Sequence, residues 1–407
     1  MRQGLLLAWL LTLSGLAGCA PPTGVLLPVS APAPGASTVE MLVVTTRAPA
    51  ADPGEIFSGG RDPVESYADI TVSIPPDNVR RPGEVEWPQQ APGDAATEFV
   101  TLKVDVTQDR ARAKDDFSQM VKQSPKRTVL VFVHGFNNRF EDAVFRLAQF
   151  VHDSRANVTP VLFTWPSKGS VFAYGYDRES ANYSRDALER LLRWLAEDPQ
   201  VGEIAVLAHS MGNWVTLEAL RQMAIRDRRV APKIRNVMLA APDVDFDVSR
   251  TQILAMGPTR PDFTLFLSES DKALAFSRKI WGAPRLGDID PYVDPYRAEL
   301  AKEHIHVFDV TGYHSPDPLH HGTALENPQI VKLIGASLDS GQVLTDSRVG
   351  LGERVMQLTA GAASTVGEAA GLAATAPIAV IDPTTREHYG DQMQSLTETL
   401  PAAIEAE

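Results

Sequence analysis

Across residues 128–337, short apolar runs alternate with stretches of helical periodicity, and this alternation constrains the fold more than any other feature of the 407-residue chain. Residues 129–133 (VLVFV) form a continuous apolar run, as a parallel strand covered on both faces requires. Helical spacing follows at 140–153, then a strand at 161–165 and a long helix at 178–196. That helix carries Leu188, Leu191, Leu192 and Leu195 on one stripe. Strands at 204–207, 237–240, 263–267 and 305–310 are separated by helices at 211–225 and near 272–280. A last helix covers 328–336. Repeated βα units imply an open, mostly parallel sheet flanked by helices, with right-handed crossovers.

A different grammar precedes this region. Strand-like runs at 39–46, 69–74 and 98–104 are separated by Pro- and Gly-rich loops such as Pro75-Pro76-Asp77 and Arg81-Pro82-Gly83. The expectation is an antiparallel β lead-in at 39–105 joined to an α/β domain that ends near residue 338. From 339 to 407 the chain holds 10 acids and 3 bases among Ala, Gly, Ser and Thr, and reads as an acidic tail.

Composition narrows the function classes. With 44% hydrophobic and 22% charged residues, the chain can bury a core. A net charge of −13 argues against nucleic acid, whose phosphates reward clustered Lys and Arg. Among the basic residues, Arg221, Arg226, Arg228, Arg229, Lys233 and Arg235 cluster, and read as a solvated helix end, with contact to anionic lipid headgroups as the alternative. A single cysteine excludes an internal disulfide and any Cys-rich zinc or iron–sulfur framework.

That cysteine is Cys19. Arg2 supplies a positive start, residues 5–13 (LLLAWLLTL) form an apolar run, and Leu16-Ala17-Gly18-Cys19 follows. The run is shorter than the roughly 20 residues a transmembrane helix needs and suits a secretory signal. The Leu-Ala-Gly-Cys segment resembles the lipobox of bacterial lipoproteins. The resemblance implies a signal peptide at 1–18, acylation of Cys19, and anchoring to the cell envelope. Ala20, standing where an inner-membrane retention signal would place Asp, favours the outer membrane of a two-membrane bacterium. Residues 19–38, rich in Pro, Ala and Gly, read as a tether.

The strongest chemical signal is Ala208-His209-Ser210-Met211-Gly212, placed after one apolar strand and opening a helix. A serine on such a sharp strand-to-helix turn is lifted above the sheet, and the residues two positions either side must be small. The Met211 N–H, at the helix start, points toward a developing oxyanion. The second signal is Val133-His134-Gly135-Phe136-Asn137-Asn138, after the first strand of the alternating region. There Gly135 permits close backbone approach and Phe136 N–H becomes the second oxyanion donor.

A serine hydroxyl needs an oriented base. Two acids follow strands beyond Ser210: Asp271, after the second such strand, is favoured, and Asp243, after the first, is the alternative. Asp245 and Asp247 read as solvent-facing or helix-capping. His304 and His306 alternate within a strand and read as sheet-face residues. His314, His320 and His321 lie in the loop after the last strand, where a base belongs. His321, seven residues before Pro328, is favoured over His320 and His314. No zinc-binding spacing such as HExxH occurs, so neither metal nor cofactor is expected.

Together these motifs resemble a poorly characterised family of bacterial α/β hydrolases with an N-terminal β extension. Further matching segments are Thr45-Thr46-Arg47, Val72-Ser73-Ile74-Pro75, Phe163-Thr164-Trp165-Pro166-Ser167, Tyr176-Asp177 with Ser180-Ala181 and Ser184, Leu239-Ala240-Ala241-Pro242-Asp243, and Ser270-Asp271-Lys272-Ala273-Leu274. The histidine segment departs from the family pattern, reading His321-Gly322-Thr323-Ala324 before Asn327-Pro328. The resemblance implies the α/β-hydrolase fold and a membrane-anchored esterase or lipase acting on acyl esters through Ser210, Asp271 and His321. Trp165, Phe172, Tyr174 and Tyr176 are candidates to line an acyl pocket. The alternatives are a non-catalytic binding or scaffold lipoprotein and a serine peptidase or amidase.

Overall fold

The computed structural model describes residues 22–340. The proposed signal peptide, Cys19 and the tail from residue 341 lie outside the described residues.

The lead-in forms strands β1 (Ser37–Pro49), β2 (Phe57–Ile74) and β3 (Val100–Thr107). Helix α1 (Arg110–Gln123) follows, then β4 (Thr128–Val133), α2 (Phe140–Ser154), β5 (Thr159–Thr164), α3 (Tyr174–Glu197), β6 (Glu203–His209) and α4 (Gly212–Asp227). The series continues with β7 (Ile234–Ala240), α5 (Phe246–Ala255), β8 (Asp262–Leu267), α6 (Lys272–Trp281) and α7 (Tyr296–Lys302). It ends with β9 (His306–Asp309), α8 (Thr323–Glu326) and α9 (Pro328–Ser340).

All strands join one nine-stranded sheet in the order β3-β2-β1-β5-β4-β6-β7-β8-β9. The two pairs β1/β2 and β2/β3 are antiparallel, and every other pair is parallel. Alternate side chains of β4 enter opposite apolar layers: Val129, Val131 and Val133 on one face, Leu130 and Phe132 on the other. Helices α1, α3 and α4 cover the first face, and α2 and α9 cover the second. Strand β1 alternates likewise, with Leu42 and Val44 in one layer and Met41 and Val43 in the other, so the lead-in shares both cores. The chain thus has the α/β-hydrolase architecture expected of it, with its antiparallel portion at one edge.

Three differences from the sequence reading have physical causes. The segment read as a tether is packed where it can be described: Val25 and Leu26 are buried, and Leu26 N–H donates to Gly54 O. The short apolar run at 25–27 reaches the second layer despite its Pro-rich surroundings. Helix α1 is absent from the sequence reading because its sequence is mostly polar, with few apolar residues to mark a face. Its signals are an Asp109 cap accepting from the Ala111 and Arg112 N–H groups, and Ala113, Phe117 and Val121 buried at four-residue spacing. His304 lies before β9 at φ 51°, so only His306 of that pair is in the strand.

Strand β4 sits between β5 and β6, and the chain leaves it for β5 on one side before returning to β6 on the other. Such a switch opens a crevice at the carboxyl ends of the strands. The loops after β4 and β6 both start there.

Candidate active site

Ser210 occupies the turn between β6 and α4 with φ 53°, a left-handed conformation that costs a non-glycine residue about 1–3 kcal/mol. The surroundings enforce it. Ser210 N–H donates to Ala240 O at 3.0 Å, while Ser210 O accepts from Asp243 N–H at 3.2 Å and from Asn213 Nδ2 at 3.0 Å. A methyl group on Gly212 would stand 2.4 Å from His134 O and 2.5 Å from Val133 O, so glycine is obligatory there. Ala208, on the other side, is fully buried in the sheet.

The loop after β4 lies directly against this turn. A Cβ on Gly135 would stand 2.7 Å from Ser210 Cβ. Among the described residues, neither Phe136 N–H nor Met211 N–H donates to a protein acceptor. The Phe136 ring packs edge-on against Tyr174, with centroids 5.0 Å apart.

Beneath the loop lies a fully buried polar assembly. His134 Nδ1 bonds Gly135 O at 2.8 Å, and His134 Nε2 accepts from Trp165 N–H at 3.2 Å, which fixes the tautomer with the proton on Nδ1. Thr164 Oγ1 lies 3.0 Å from Nε2. Burial, and then the neighbouring Arg47 cation, hold His134 far below the usual imidazole range, so it stays neutral.

Arg47, at the end of β1, spends its guanidinium on neutral acceptors. Nε donates to Thr164 Oγ1 at 2.8 Å, Nη1 to Ser167 O at 2.9 Å and Ser58 O at 3.3 Å, and Nη2 to Asn138 O at 2.9 Å. Burial lowers its pKa to about 10, which leaves it protonated at neutral pH. One side chain thereby ties together β1, β2, the segment after β5 and the loop after β4. Asp177 adds to the scaffold by accepting from Ser167 Oγ and from the Lys168 and Asn137 N–H groups.

On the far side of the turn, His321 Nδ1 bonds Asp271 Oδ2 at 2.7 Å. Asp271 is buried, caps α6, and accepts from Leu274 N–H through its other oxygen at 2.9 Å. Burial opposes charge on His321, but the hydrogen bond and charge of Asp271 outweigh it and raise the imidazole pKa above its usual value. The His321 backbone is held twice. Its N–H donates to Asp317 Oδ2 at 2.8 Å, and its carbonyl bonds His209 Nε2 at 3.0 Å. His209 is lowered to about 3 by burial and by His321, so it remains a neutral donor. The two imidazole centroids are 4.8 Å apart, which sets His321 beside the residue preceding Ser210. Ser210 Oγ itself makes no hydrogen bond among the described residues. Such contacts in substrate-free sites often close only when substrate binds.

The remaining candidates are placed elsewhere. Asp243 accepts from Tyr174 Oη at 2.6 Å and Ser277 Oγ at 2.6 Å, and pairs with the buried Arg285 at 3.1 Å. Its carboxylate is thus committed to holding the elements around the turn. His314 is exposed, and its carbonyl accepts from Asn327 Nδ2. His320 sits at φ 57° with its carbonyl accepting from Thr323 Oγ1. Asp245 caps α5.

The aromatic candidates divide. Trp165 is fully buried and stacks on His134 at 4.9 Å, so it supports the loop from below and cannot line a pocket. Tyr176 lies beneath Arg61 and Lys168, and Phe172 is 97% exposed. Tyr174 packs on the loop after β4 from another side, through the Phe136 ring.

The roles of Arg47, His209 and Asp317 were not read from the sequence. For Arg47 a signal existed: an arginine closing an otherwise apolar strand run must find many acceptors. His209 gave none, since its partner is a backbone carbonyl of a distant loop, whereas Asp317 accepts from the Leu319, His321 and Gly322 N–H groups of its own loop.

The family model described as "Alpha/beta hydrolase of unknown function (DUF900)" matches residues 109–337. An uncharacterised protein of Nostoc sp., alr1448, is 24% identical over a region covering 26% of this chain and 34% of its own, so the chain spans about a third of that relative. Among solved structures, a Pyrobaculum calidifontis esterase aligns at 16% identity and TM-score 0.32, covering 53% of this chain and 76% of the esterase. A Rhizomucor miehei esterase aligns at 13% identity and TM-score 0.32, covering 75% and 84%.

Proposed function

Because this chain belongs to the alpha/beta hydrolases of unknown function, we propose that it cleaves carboxylic esters through an acyl-enzyme on Ser210. The observation that carries the reading is the strained Ser210 turn, φ 53°, set beside a His321–Asp271 pair bonded at 2.7 Å. Ser210 Oγ attacks the ester carbonyl carbon while His321 takes its proton, and Asp271 stabilises the imidazolium. The carbonyl oxygen becomes an oxyanion between the Phe136 and Met211 N–H groups. Collapse expels the alcohol, which takes the proton back from His321. Water, deprotonated by His321, then attacks the acyl group, releasing the acid and restoring Ser210.

Cys19 is proposed as a lipid attachment point that would hold the enzyme at the cell envelope, where acyl esters of lipids are at hand. The motive is the Leu16-Ala17-Gly18-Cys19 segment after an apolar run.

The test is labelling with a fluorophosphonate probe, followed by turnover of p-nitrophenyl esters of rising chain length beside matched anilides and peptides. The expected result is label on Ser210, none on Ser210→Ala, and esters preferred to amides. Folded protein that takes no label would instead support a non-catalytic scaffold. Preference for anilides would point to an amidase.

A further inference from the structure

The rim of the sheet near Ser210 carries an apolar patch that the proposed hydrolysis does not use. In the turn after β5, Val171 is 63% and Phe172 97% exposed. On α6, whose cap is Asp271, Phe276 is 65%, Ile280 52% and Trp281 41% exposed. The two elements meet: Tyr174, two residues after Phe172, lies 5.8 Å from Trp281 between ring centroids, and the Arg178 guanidinium covers Trp281 at 4.3 Å. Phe276 and Ile280, four residues apart, share one helical face. A soluble surface rarely leaves large aromatic and branched side chains so exposed on two adjacent elements unless something covers them.

Charge indicates what that is. The chain carries −13 overall, yet α6 (KALAFSRKIW) contains three cations and no acid. Lys168, over the Tyr176 ring, and Arg178 flank the other half of the patch. Arg278 is paired with Asp288 at 3.1 Å and Lys272 donates to Pro318 O, while Lys279 is exposed at the outer end of the helix. Apolar tips on a helix that carries an exposed cation such as Lys279 and no acid are the pattern of a helix that lies in a lipid interface, with its side chains among acyl chains and its cations among anionic headgroups.

We propose that Val171, Phe172, Phe276, Ile280 and Trp281 dock this protein onto an anionic phospholipid surface. The docking goes beyond the hydrolytic reading and does not require Ser210 to be the nucleophile. It would turn the crevice at the strand ends toward the bilayer.

The test is flotation of the full chain carrying Cys19→Ser, so that no acyl anchor contributes, with phosphatidylcholine vesicles that either contain or lack phosphatidylglycerol. Binding should rise with phosphatidylglycerol and weaken with salt. Phe276→Ser with Ile280→Ser should lower the bound fraction at least about tenfold while leaving the thermal midpoint unchanged. Lys279→Glu should weaken binding only where phosphatidylglycerol is present. The proposal is overturned if the double variant binds vesicles as its parent does. It is equally overturned if the parent ignores vesicles and is a dimer that the double variant converts to monomer, which would make the patch an interface between copies of the chain.

Discussion

Arg47→Met is the most informative perturbation of the site, because it removes a buried cation without touching any residue proposed to react. The methionine stem fills most of the arginine's volume but supplies no donor. Three close acceptors, Thr164 Oγ1, Ser167 O and Asn138 O at 2.8–2.9 Å, lose the arginine as donor in a buried or half-buried setting. At about 1–3 kcal/mol for each stranded buried group, less the relief of no longer burying a charge, the expected loss of stability is about 3 kcal/mol. The functional loss should exceed what unfolding explains. Asn138 and His134 bracket Phe136, so freeing the loop moves the proposed oxyanion donor, and a donor of that kind is worth roughly 10²–10³ in kcat. Urea denaturation followed by fluorescence gives the first quantity. Steady-state hydrolysis of a p-nitrophenyl ester, at a temperature where the variant is folded, gives the second. The expected pattern is a fall in kcat of at least about tenfold with KM nearly constant, because the oxyanion contact is made only in the transition state. Arg47→Lys should recover part of the stability, since an ammonium keeps the charge but not the planar fork. A methionine variant within about 1 kcal/mol of the parent and unchanged in kcat would refute the reasoning, since three stranded buried acceptors should cost more than that.

Other outcomes follow from the same geometry. His321 must be neutral to accept a proton and its pKa is raised, so kcat/KM should fall as pH drops through a value above the usual imidazole range. Asp271→Asn should shift that limb to lower pH and reduce the plateau by roughly 10²–10⁴, read from a pH–rate profile. The same raised pKa means that the stability contributed by protonating His321 is present below its unfolded-state value and is lost as pH rises through the folded value. Asp243→Asn should weigh more on stability. It shifts the limb to lower pH by less than Asp271→Asn does, since Asp243 is a lesser contributor than Asp271 to the raised His321 pKa, and it costs about 3–5 kcal/mol in urea, because Arg285 loses its buried partner. Gly135→Ala would force a carbon to within 2.7 Å of Ser210 Cβ, well inside the usual carbon contact. A displacement approaching roughly 1 Å at the reacting pair should reduce kcat by about 10² with circular dichroism unchanged, and activity within about threefold of the parent would count against the placement of that loop.

The sequence reading and the structure agree where one residue's requirements are local. The turn at Ser210 was legible because its sterics act within five residues: Ala208 and Gly212 must be small, and a strand and a helix must flank them. The βα alternation was legible because each buried strand is a short apolar run. The sequence favoured His321 over His320 by loop position alone, since both lie in one loop at nearly the same distance from Pro328. It is the Asp317 and His209 hydrogen bonds to the loop backbone that turn His321 toward Asp271. Asp243 and Asp271 were likewise ambiguous, both following strands. Only the arrival of Arg285 and Tyr174 from elsewhere in the chain commits Asp243 to other partners. The aromatic wall was misjudged at Trp165 because a tryptophan after a strand looks the same whether it faces a ligand or stacks under a loop.

The strand order also sets the boundaries of the smallest portable enzyme. The family segment begins at residue 109, after β3, yet β1 lies next to β5 and pairs with it from Leu42–Val161 to Thr45–Thr164. A fragment cut to that segment would leave β5 as an open edge, ready to recruit a foreign strand, and would lack Arg47 altogether. The proposed catalytic residues and the stretch before the recognised segment therefore share one sheet and one core. Grafts, chimaeras between relatives and expression trials should carry the chain from before Val25, whose side chain already belongs to the core.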